Sequence, residues 1–413
     1  MSDALPVVQN LDRRVDAETA LASQFGADDF ESLFEHSGLC MVVLDRYLVV
    51  QDVNSDFARE LGWRNATLRG RETLHFIHRS GHLHLVRELG RLLDGRRVHF
   101  IRGDIGDETL VHDLLVTHDI DTLVHFAAES HVDRSILGPD AFVQTNIVGT
   151  HALLKAARKA WLGERRRASH RFHHVSTDEV FGSLGPADPA FSETTSYAPN
   201  SPYAASKAGS DMLVRAYHHT YGLTTTITNC SNNYGPYQFP EKLIPLFVIR
   251  CLEGGPLPIY GDGMNVRDWL FVDDHCRGID AVLAGGATGE TYNIGGRCEQ
   301  PNLAVIDTIV QAVDAAFAAD PELRDRFPQS PAARGASCAE LKTWVTDRPG
   351  HDRRYAIDPR KIEGALGFTP AWRFESALAQ TVGWYLANET WWRAIQNNDY
   401  RNWVEANYAA RGG

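Results

Sequence analysis

From about residue 103 onward the sequence predicts a doubly wound, Rossmann-like α/β fold: a parallel sheet with helices on both faces, followed by a smaller C-terminal α/β lobe. Three observations carry this. Short apolar or β-branched runs (Thr122 to Ala127, Phe172 to Ser176, Thr224 to Asn229) alternate with long helical stretches. Thr122 to Ala127 lacks the in–out alternation of a half-exposed strand, as expected where helices cover both faces. Two of the runs also end in small or polar residues, Ala127-Ala128 and Ser176-Thr177, which is how a buried strand ends at a catalytic edge.

The bulk properties narrow the class. A chain of 413 residues has room for two or three domains, and 43% apolar residues suffice for real cores. A formal net charge of -12 argues against a nucleic-acid surface. The six cysteines, Cys40, Cys230, Cys251, Cys276, Cys298 and Cys338, have no close-spaced pair, which suits a reducing cytoplasm and neither a disulfide framework nor a metal site. No apolar run approaches a membrane span and no signal-like stretch opens the chain, so a soluble, cytoplasmic protein is expected.

In chain order, residues 1–28 read as a flexible lead. Phe30 to His36 then predicts a helix, Leu39 to Leu44 and Leu48 to Val53 two strands across an Asp45-Arg46 turn, and Asn54 to Leu61 another helix. Gly81 to Leu93 predicts a longer amphipathic helix and Arg97 to Ile101 a strand. This order, with its Leu-Gly-Trp and Leu-Asp-Gly-Arg punctuation, resembles part of a PAS sensor domain over residues 29–101. The glycines of this region, Gly26, Gly38, Gly62, Gly70, Gly81, Gly90 and Gly95, are too widely spaced to cradle a pyrophosphate.

The incomplete Rossmann-like domain is assigned to 102–230. Its expected elements are a helix at Asp107 to His118, the strand from Thr122, and a long helix at Pro139 to Trp161. The strand at Phe172, a helix at Pro202 to Tyr221 and the strand at Thr224 follow. Pro202 sits where a first helical residue tolerates proline. Arg165 to Arg167 reads as a solvated face. Residues 231–413 form the second lobe, whose closing helices, Glu375 to Ala387 and Glu389 to Tyr408, carry Trp384, Trp391, Trp392 and Trp403 as packing residues.

The chemistry concentrates between Phe172 and Lys207. Tyr203 and Lys207 are four apart and share one helix face, where an ammonium favours the phenolate of a neighbouring Tyr. An ordinary amphipathic helix would show the same pair. With Ser176 and Thr177 ending the preceding strand, the set resembles the extended short-chain dehydrogenase/reductase family. That resemblance implies Tyr203 as proton acceptor and Lys207 as a holder of the nicotinamide ribose. Asp178 and Glu179 could be a helix-capping cluster or an acid/base pair. Water leaves C6 of a hexose only after C4 becomes a ketone that acidifies C5, so such chemistry needs a hydride acceptor, two bases and an acid.

The wider motifs narrow the resemblance. The run Ala127 to Ser135 (AAESHVDRS), Thr145-Asn146, TNCSNNYGP at 228–236, FPEKL at 239–243, RDWL at 267–270 and DRPGHDRRY at 347–355 closely resemble the dTDP-glucose 4,6-dehydratase family over about 103–413. Phe181 stands where that family carries Tyr. The resemblance implies an NAD-dependent lyase acting on dTDP-glucose, without metal, as a homodimer through the helices at Pro139 and Pro202. It implies Thr177, Asp178, Glu179, Tyr203 and Lys207 as catalytic, and Asp104, Ile105, Ala127, Ala128, Ser130, Thr145, Tyr203 and Lys207 around the cofactor. Substrate contacts fall on Ser130, Thr177, Asn232, Lys242, Leu243, Pro258, Tyr260, Arg267, Asn302, Arg348 and His351. Arg267 could instead pair with Asp268 or Asp273.

The missing Gly-rich turn has a cost. Losing two or three charge-assisted bonds to a pyrophosphate weakens its binding by roughly 4 to 8 kcal/mol, about a thousandfold or more. A strand is also missing from the middle of the sheet, and Leu39 to Leu44 or Leu48 to Val53 is expected to take its place. Two further readings stay open: a catalytically silent PAS fusion that only binds nucleotide sugar or a partner, and a recombined gene product in which neither half works.

Overall fold

The structure, a computed structural model, describes residues 42–44, 50–53, 101, 103–164 and 169–396. The lead over 1–28, the PAS-like helices, Arg97 to Phe100, the basic run at Arg165 and the chain beyond Gln396 with Trp403 lie outside the described residues. The chain divides into two compact units, Met1–Arg102 and Gly103–Gly413. In the first, β1 (Val42–Leu44) and β2 (Val50–Val53) pair antiparallel in a two-stranded sheet. The expectation that one of them enters the parallel sheet is therefore corrected: among the described residues each pairs with the other.

In the second unit, α1 (Glu108–Thr117) starts at Asp107, whose carboxylate caps the Leu110 N–H. It leads to β3 (Thr122–His125), then α2 (Val132–Leu137). A continuous helix, α3, runs over 140–164 and twice widens into π turns, at Val143–Gly149 and Lys159–Glu164. Next come β4 (Arg171–Thr177), α4 (Pro202–Tyr221) and β5 (Thr225–Cys230). Ser201 caps α4 through the Ala204 N–H, Pro202 takes the first turn, and Gly222 closes it at φ 73°, a left-handed position that suits glycine.

The second lobe contributes β6 (Asn232–Tyr234), α5 (Leu243–Glu253), β7 (Leu257–Tyr260), β8 (Val266–Phe271) and α6 (Val272–Gly285). It continues with β9 (Thr291–Ile294), β10 (Glu299–Pro301), α7 (Asn302–Ala319) and β11 (Lys342–Val345). The helices α8 (Arg360–Leu366), α9 (Phe374–Ala387) and α10 (Glu389–Ile395) close it.

Four strands form the parallel sheet in the order β3-β4-β5-β9, with His174 opposite both His125 and Ile227. One core lies where α1, α3 and α4 cover this sheet: Leu153, Leu154, Trp161, Phe172, Val214 and Leu223 are buried there. A second and larger core joins α5, α7 and α9 in the C-terminal lobe. In it α7 corrects one expectation. Its 18 residues have a mean hydropathy of 1.4, enough by length and composition to cross a membrane. Here Val305, Ile306, Ile309, Val310, Val313 and Phe317 are buried in the lobe's core, so the apolar run fills protein interior.

Asp274 staples the two ends of this lobe. Buried in the first turn of α6, it accepts from the Ala371 and Trp372 N–H groups and from Arg277. Asp274→Ala strands two backbone donors, and charge-assisted bonds are worth about 1.5 to 3 kcal/mol each. We expect it to destabilise the protein by about 3 kcal/mol, visible as a lower urea midpoint at unchanged slope. An unaltered midpoint refutes the staple.

Candidate active site

The site is built at the carboxyl ends of β3, β4 and β5. The last β4 residue, Thr177, accepts from the Glu179 N–H and starts a short 3-10 turn, Asp178–Phe181. That turn aims Asp178 and Glu179 out of the sheet. It stops at Gly182 (φ 90°), where an added Cβ would meet the Ala198 carbonyl at 2.4 Å. Phe181, the departure from the family's Tyr, is buried and stacks on Phe191 with ring centroids 5.1 Å apart. Packing, with no hydroxyl, holds the turn from behind.

Tyr203 and Lys207 both lie on the buried face of α4. Tyr203 packs edge-on against Phe142 and is hydrogen-bonded to Thr177. Burial first, and Glu179 next, push its phenol well above the ordinary range. The expectation that Lys207 draws it toward the phenolate is corrected for the ligand-free chain: the Lys207 ammonium donates to the Val175 carbonyl at 2.8 Å and lies 3.5 Å from His174 Nε2. Asp178 is fully buried and Thr177 donates to it at 3.4 Å; burial and then Glu179 raise its carboxyl well above the usual value. Burial raises Glu179 too, against the pull of Arg348, Arg267 and Lys242.

Glu179 faces a cavity of about 170 Å³. Ser130, Asn232, Lys242, Leu243, Pro258, Tyr260, Arg267, Asn302, Arg348 and His351 line it with Glu179, so ten of the eleven residues expected at the substrate are brought together. Thr177 is the exception; its hydroxyl is taken up between Tyr203, Asp178 and the Glu179 N–H. Asp178, Tyr203 and Lys207 stand outside this lining, deeper at the sheet edge.

Neither ion pair envisaged for Arg267 forms. Its guanidinium donates to the Val266 and Asp352 carbonyls and lies 4.2 Å over the Tyr355 ring, while Asp268 receives the Gly296 and Cys298 N–H groups. Arg348 is held by Asp133 Oδ1 at 2.9 Å, and Tyr260 donates to the other oxygen. Arg134 grips Glu241, and Lys242 donates to the Ser130 carbonyl at 2.7 Å. Arg348 Nε, Asn232 Oδ1 and Asn302 Oδ1 are buried without a hydrogen-bond partner among the described residues. The Arg348 Nε–H suits an anionic group, and the two amide oxygens suit ligand N–H or O–H groups.

The residues expected at the cofactor divide. Ala127, Ala128 and Ser130 follow β3 on the loop at the sheet edge. Asn146 ties this loop down by bonding both Glu129 backbone groups and the Ser206 hydroxyl. Thr145 is half-buried beside it on the first π turn. Asp104 is exposed and bonds within its own loop, accepting from the Gly106 N–H, and Ile105 packs against Gly149 of α3, so its side chain serves the core.

Asp133, Glu241 and Asp211 were missed as site residues. Asp133 stood in a quoted motif, but its partner Arg348 is 215 residues away, and no local pattern announces that.

A parallel sheet ending in Ser176-Thr177, with Tyr203 and Lys207 on the following helix and an anion-suited cavity beyond, defines a nucleotide-sugar short-chain dehydrogenase/reductase. The GDP-mannose 4,6 dehydratase family model matches residues 66–381. The chain belongs to this 4,6-dehydratase family. It is 55% identical over 312 residues to a dTDP-glucose 4,6-dehydratase of Xanthomonas campestris pv. campestris, covering 75% of this chain and 85% of that one. It is 49% identical over 333 residues to dTDP-glucose 4,6-dehydratase 1 of Escherichia coli K12, covering 78% and 88%. Among solved structures, the Streptomyces venezuelae dTDP-glucose 4,6-dehydratase DesIV, with NAD and TYD bound, superposes with a TM-score of 0.65 at 47% identity over 75% of this chain and 86% of that one. A Bacillus anthracis dTDP-glucose 4,6-dehydratase in complex with NAD gives a TM-score of 0.62 at 41% identity over 75% and 86%.

Proposed function

We propose that this chain is a dTDP-glucose 4,6-dehydratase, an NAD-dependent lyase that yields the 4-keto-6-deoxy sugar. The observation that carries it is the Asp178-Glu179 pair, with raised carboxyls, set between Tyr203 and the cavity. When bound, NAD supplies the hydride acceptor and a positively charged ring that favours the Tyr203 phenolate. The donor set at the nicotinamide end fits it: Tyr203 and Lys207 reach the sheet edge beside the loop of Ala127 and Ala128.

In the reaction, Tyr203 takes the proton of the C4 hydroxyl. Glu179 then takes the C5 proton, which the C4 ketone has acidified, and Asp178, kept protonated by burial, gives its proton to the departing C6 hydroxyl; the hydride taken from C4 would be handed back to C6 by the bound cofactor as Glu179 returns a proton to C5. Thr177, through its hydrogen bond to Tyr203, keeps the phenol in register. Arg348, Arg267 and Lys242 bind the diphosphate, with Asn232 and Asn302 as amide partners and Leu243, Pro258 and Tyr260 as the apolar slot for the base.

The test is direct: purified protein is analysed for tightly held NAD by mass spectrometry, then given dTDP-glucose. Formation of the 4-keto-6-deoxy sugar supports the reading. Failure to retain or take up NAD, even in large excess, removes it and leaves the silent-fusion reading. A second expectation concerns the nucleotide. Arg348→Ala should raise KM about 100-fold with a smaller change in kcat, because it removes a fork from the diphosphate and leaves Asp133 without its cation. An unchanged KM in steady-state assays would place the diphosphate elsewhere.

We further propose a cytoplasmic homodimer. Exposed Val143 and Val148 on α3, with Met212 and Tyr221 on α4, favour association of those two helices with a second copy. Sedimentation at a monomer mass would contradict it. The PAS-like reading of 29–101 is supported by the antiparallel β1–β2 pair. The family model begins within that stretch, at residue 66, so its second half has a competing claim.

A further inference from the structure

Lys207 is a buried ammonium, and the groups around it cannot neutralise it. From β3 and β4, His125, His173 and His174 are imidazoles driven far below their ordinary value by burial, so they carry no charge at neutral pH. From β5, the Cys230 thiol is pushed up to about 12 and stays protonated. From the 3-10 turn, Asp178 is held in its acid form, and Glu179 faces Arg348, Arg267 and Lys242. On α4, Tyr203 is a neutral phenol, and Arg215 is a further positive charge near Tyr197. An unpaired ammonium in such surroundings sheds its proton.

One group remains. Asp211 follows Lys207 by four residues on the same buried face of α4. Its Oδ2 accepts from the Ser176 hydroxyl of β4 and from the Tyr197 hydroxyl, each at 2.9 Å, and its Oδ1 lies 3.2 Å from His174 Nε2. Two hydroxyls from separate parts of the chain therefore fix one carboxylate beside the His174 ring, whose Nε2 lies 3.5 Å from the Lys207 ammonium. We propose that Asp211 is a positioning residue for the reaction: it is the buried counter-charge that keeps Lys207 cationic and held at the Val175 carbonyl, on the helix face it shares with Tyr203.

Burial raises the Asp211 carboxyl to about 6, so it is ionised at neutral pH, and its charge raises Lys207 against the burial that lowers it. The kinetic consequence rests on the proposed reaction, while the charge on Lys207 does not.

The experiment uses the full chain labelled with [13C]lysine, and the Lys207 Cε resonance is assigned by its loss in Lys207→Met. In Asp211→Asn the Lys207 titration midpoint should fall by about one pH unit or more. The alkaline fall of kcat should move down with it, kcat near neutrality should drop about tenfold, and Asp211→Glu should restore both. A Lys207 midpoint unchanged in Asp211→Asn overturns the proposal. If Asp211→Asn does not fold, the wild-type resonance decides: it should show a second step as Asp211 ionises near 6, and a flat response between about pH 5 and 8 overturns the proposal. Absence of turnover in the wild type would count against the dehydratase reading alone, since the resonance needs no substrate.

Discussion

Glu179→Gln should lower formation of the 4-keto-6-deoxy sugar about a thousandfold, the range general bases contribute, while leaving oxidation at C4 intact. Glutamine keeps the side chain's size and one carbonyl oxygen but cannot take the C5 proton. Reduced nicotinamide should then accumulate after dTDP-glucose is added, visible in its near-ultraviolet absorbance, where the wild type holds it only in passing. The pH profile gives a second reading. Glu179 must be ionised to act and burial raises it, so the acid-side fall of kcat/KM should lie above the ordinary Glu value of about 4.3. Asp178 must be protonated to act, and it too is raised, so its deprotonation contributes to the alkaline fall alongside that of Lys207. The two neighbours interact, and the apparent values belong to the pair. In Glu179→Gln the acid limb should vanish from whatever rate remains. Normal product formation by this variant would end the assignment of Glu179 as the base.

Which parts of this site were legible in the sequence depended on whether short-range spacing could state them. Tyr203 and Lys207 share a helix face because they are four apart, and the apolar run ending in Ser176-Thr177 shows a buried strand reaching an edge. Asp178 and Glu179 are placed by that same edge. Contacts over long separations are different. Asp133 meets Arg348 across 215 residues, Arg134 meets Glu241 across 107, and Ser176 meets Asp211 across 35; the first two exist only once the second lobe has packed, and the third only once α4 lies on β4.

The misread points have equally local causes. Spacing put Lys207 beside Tyr203, but rotamers and burial decide where an ammonium points, and it found the Val175 carbonyl. Composition could not separate α7 from a spanning helix, since a lobe core and a lipid interior select the same side chains; only the packing of α5 and α9 around it does.

Tyr203→Phe should act one step earlier than Glu179→Gln and therefore leave a different trace. The ring fits against Phe142 and Val132, so the variant keeps its packing and loses a hydroxyl bonded to Thr177, at a cost in stability of about 1 kcal/mol. Without that oxygen nothing on α4 can take the C4 proton. The Thr177 hydroxyl is already committed to Asp178 and the Glu179 N–H. Product formation should fall about a thousandfold or more, and no reduced nicotinamide should appear on addition of dTDP-glucose. The order of steps makes a sharper demand. Because C5 acidifies only once C4 is a ketone, combining Tyr203→Phe with Glu179→Gln should look like Tyr203→Phe alone, far from the product of the two single effects. Accumulation of reduced nicotinamide in the double variant, or turnover by Tyr203→Phe within about tenfold of wild type, would mean that another group removes the C4 proton.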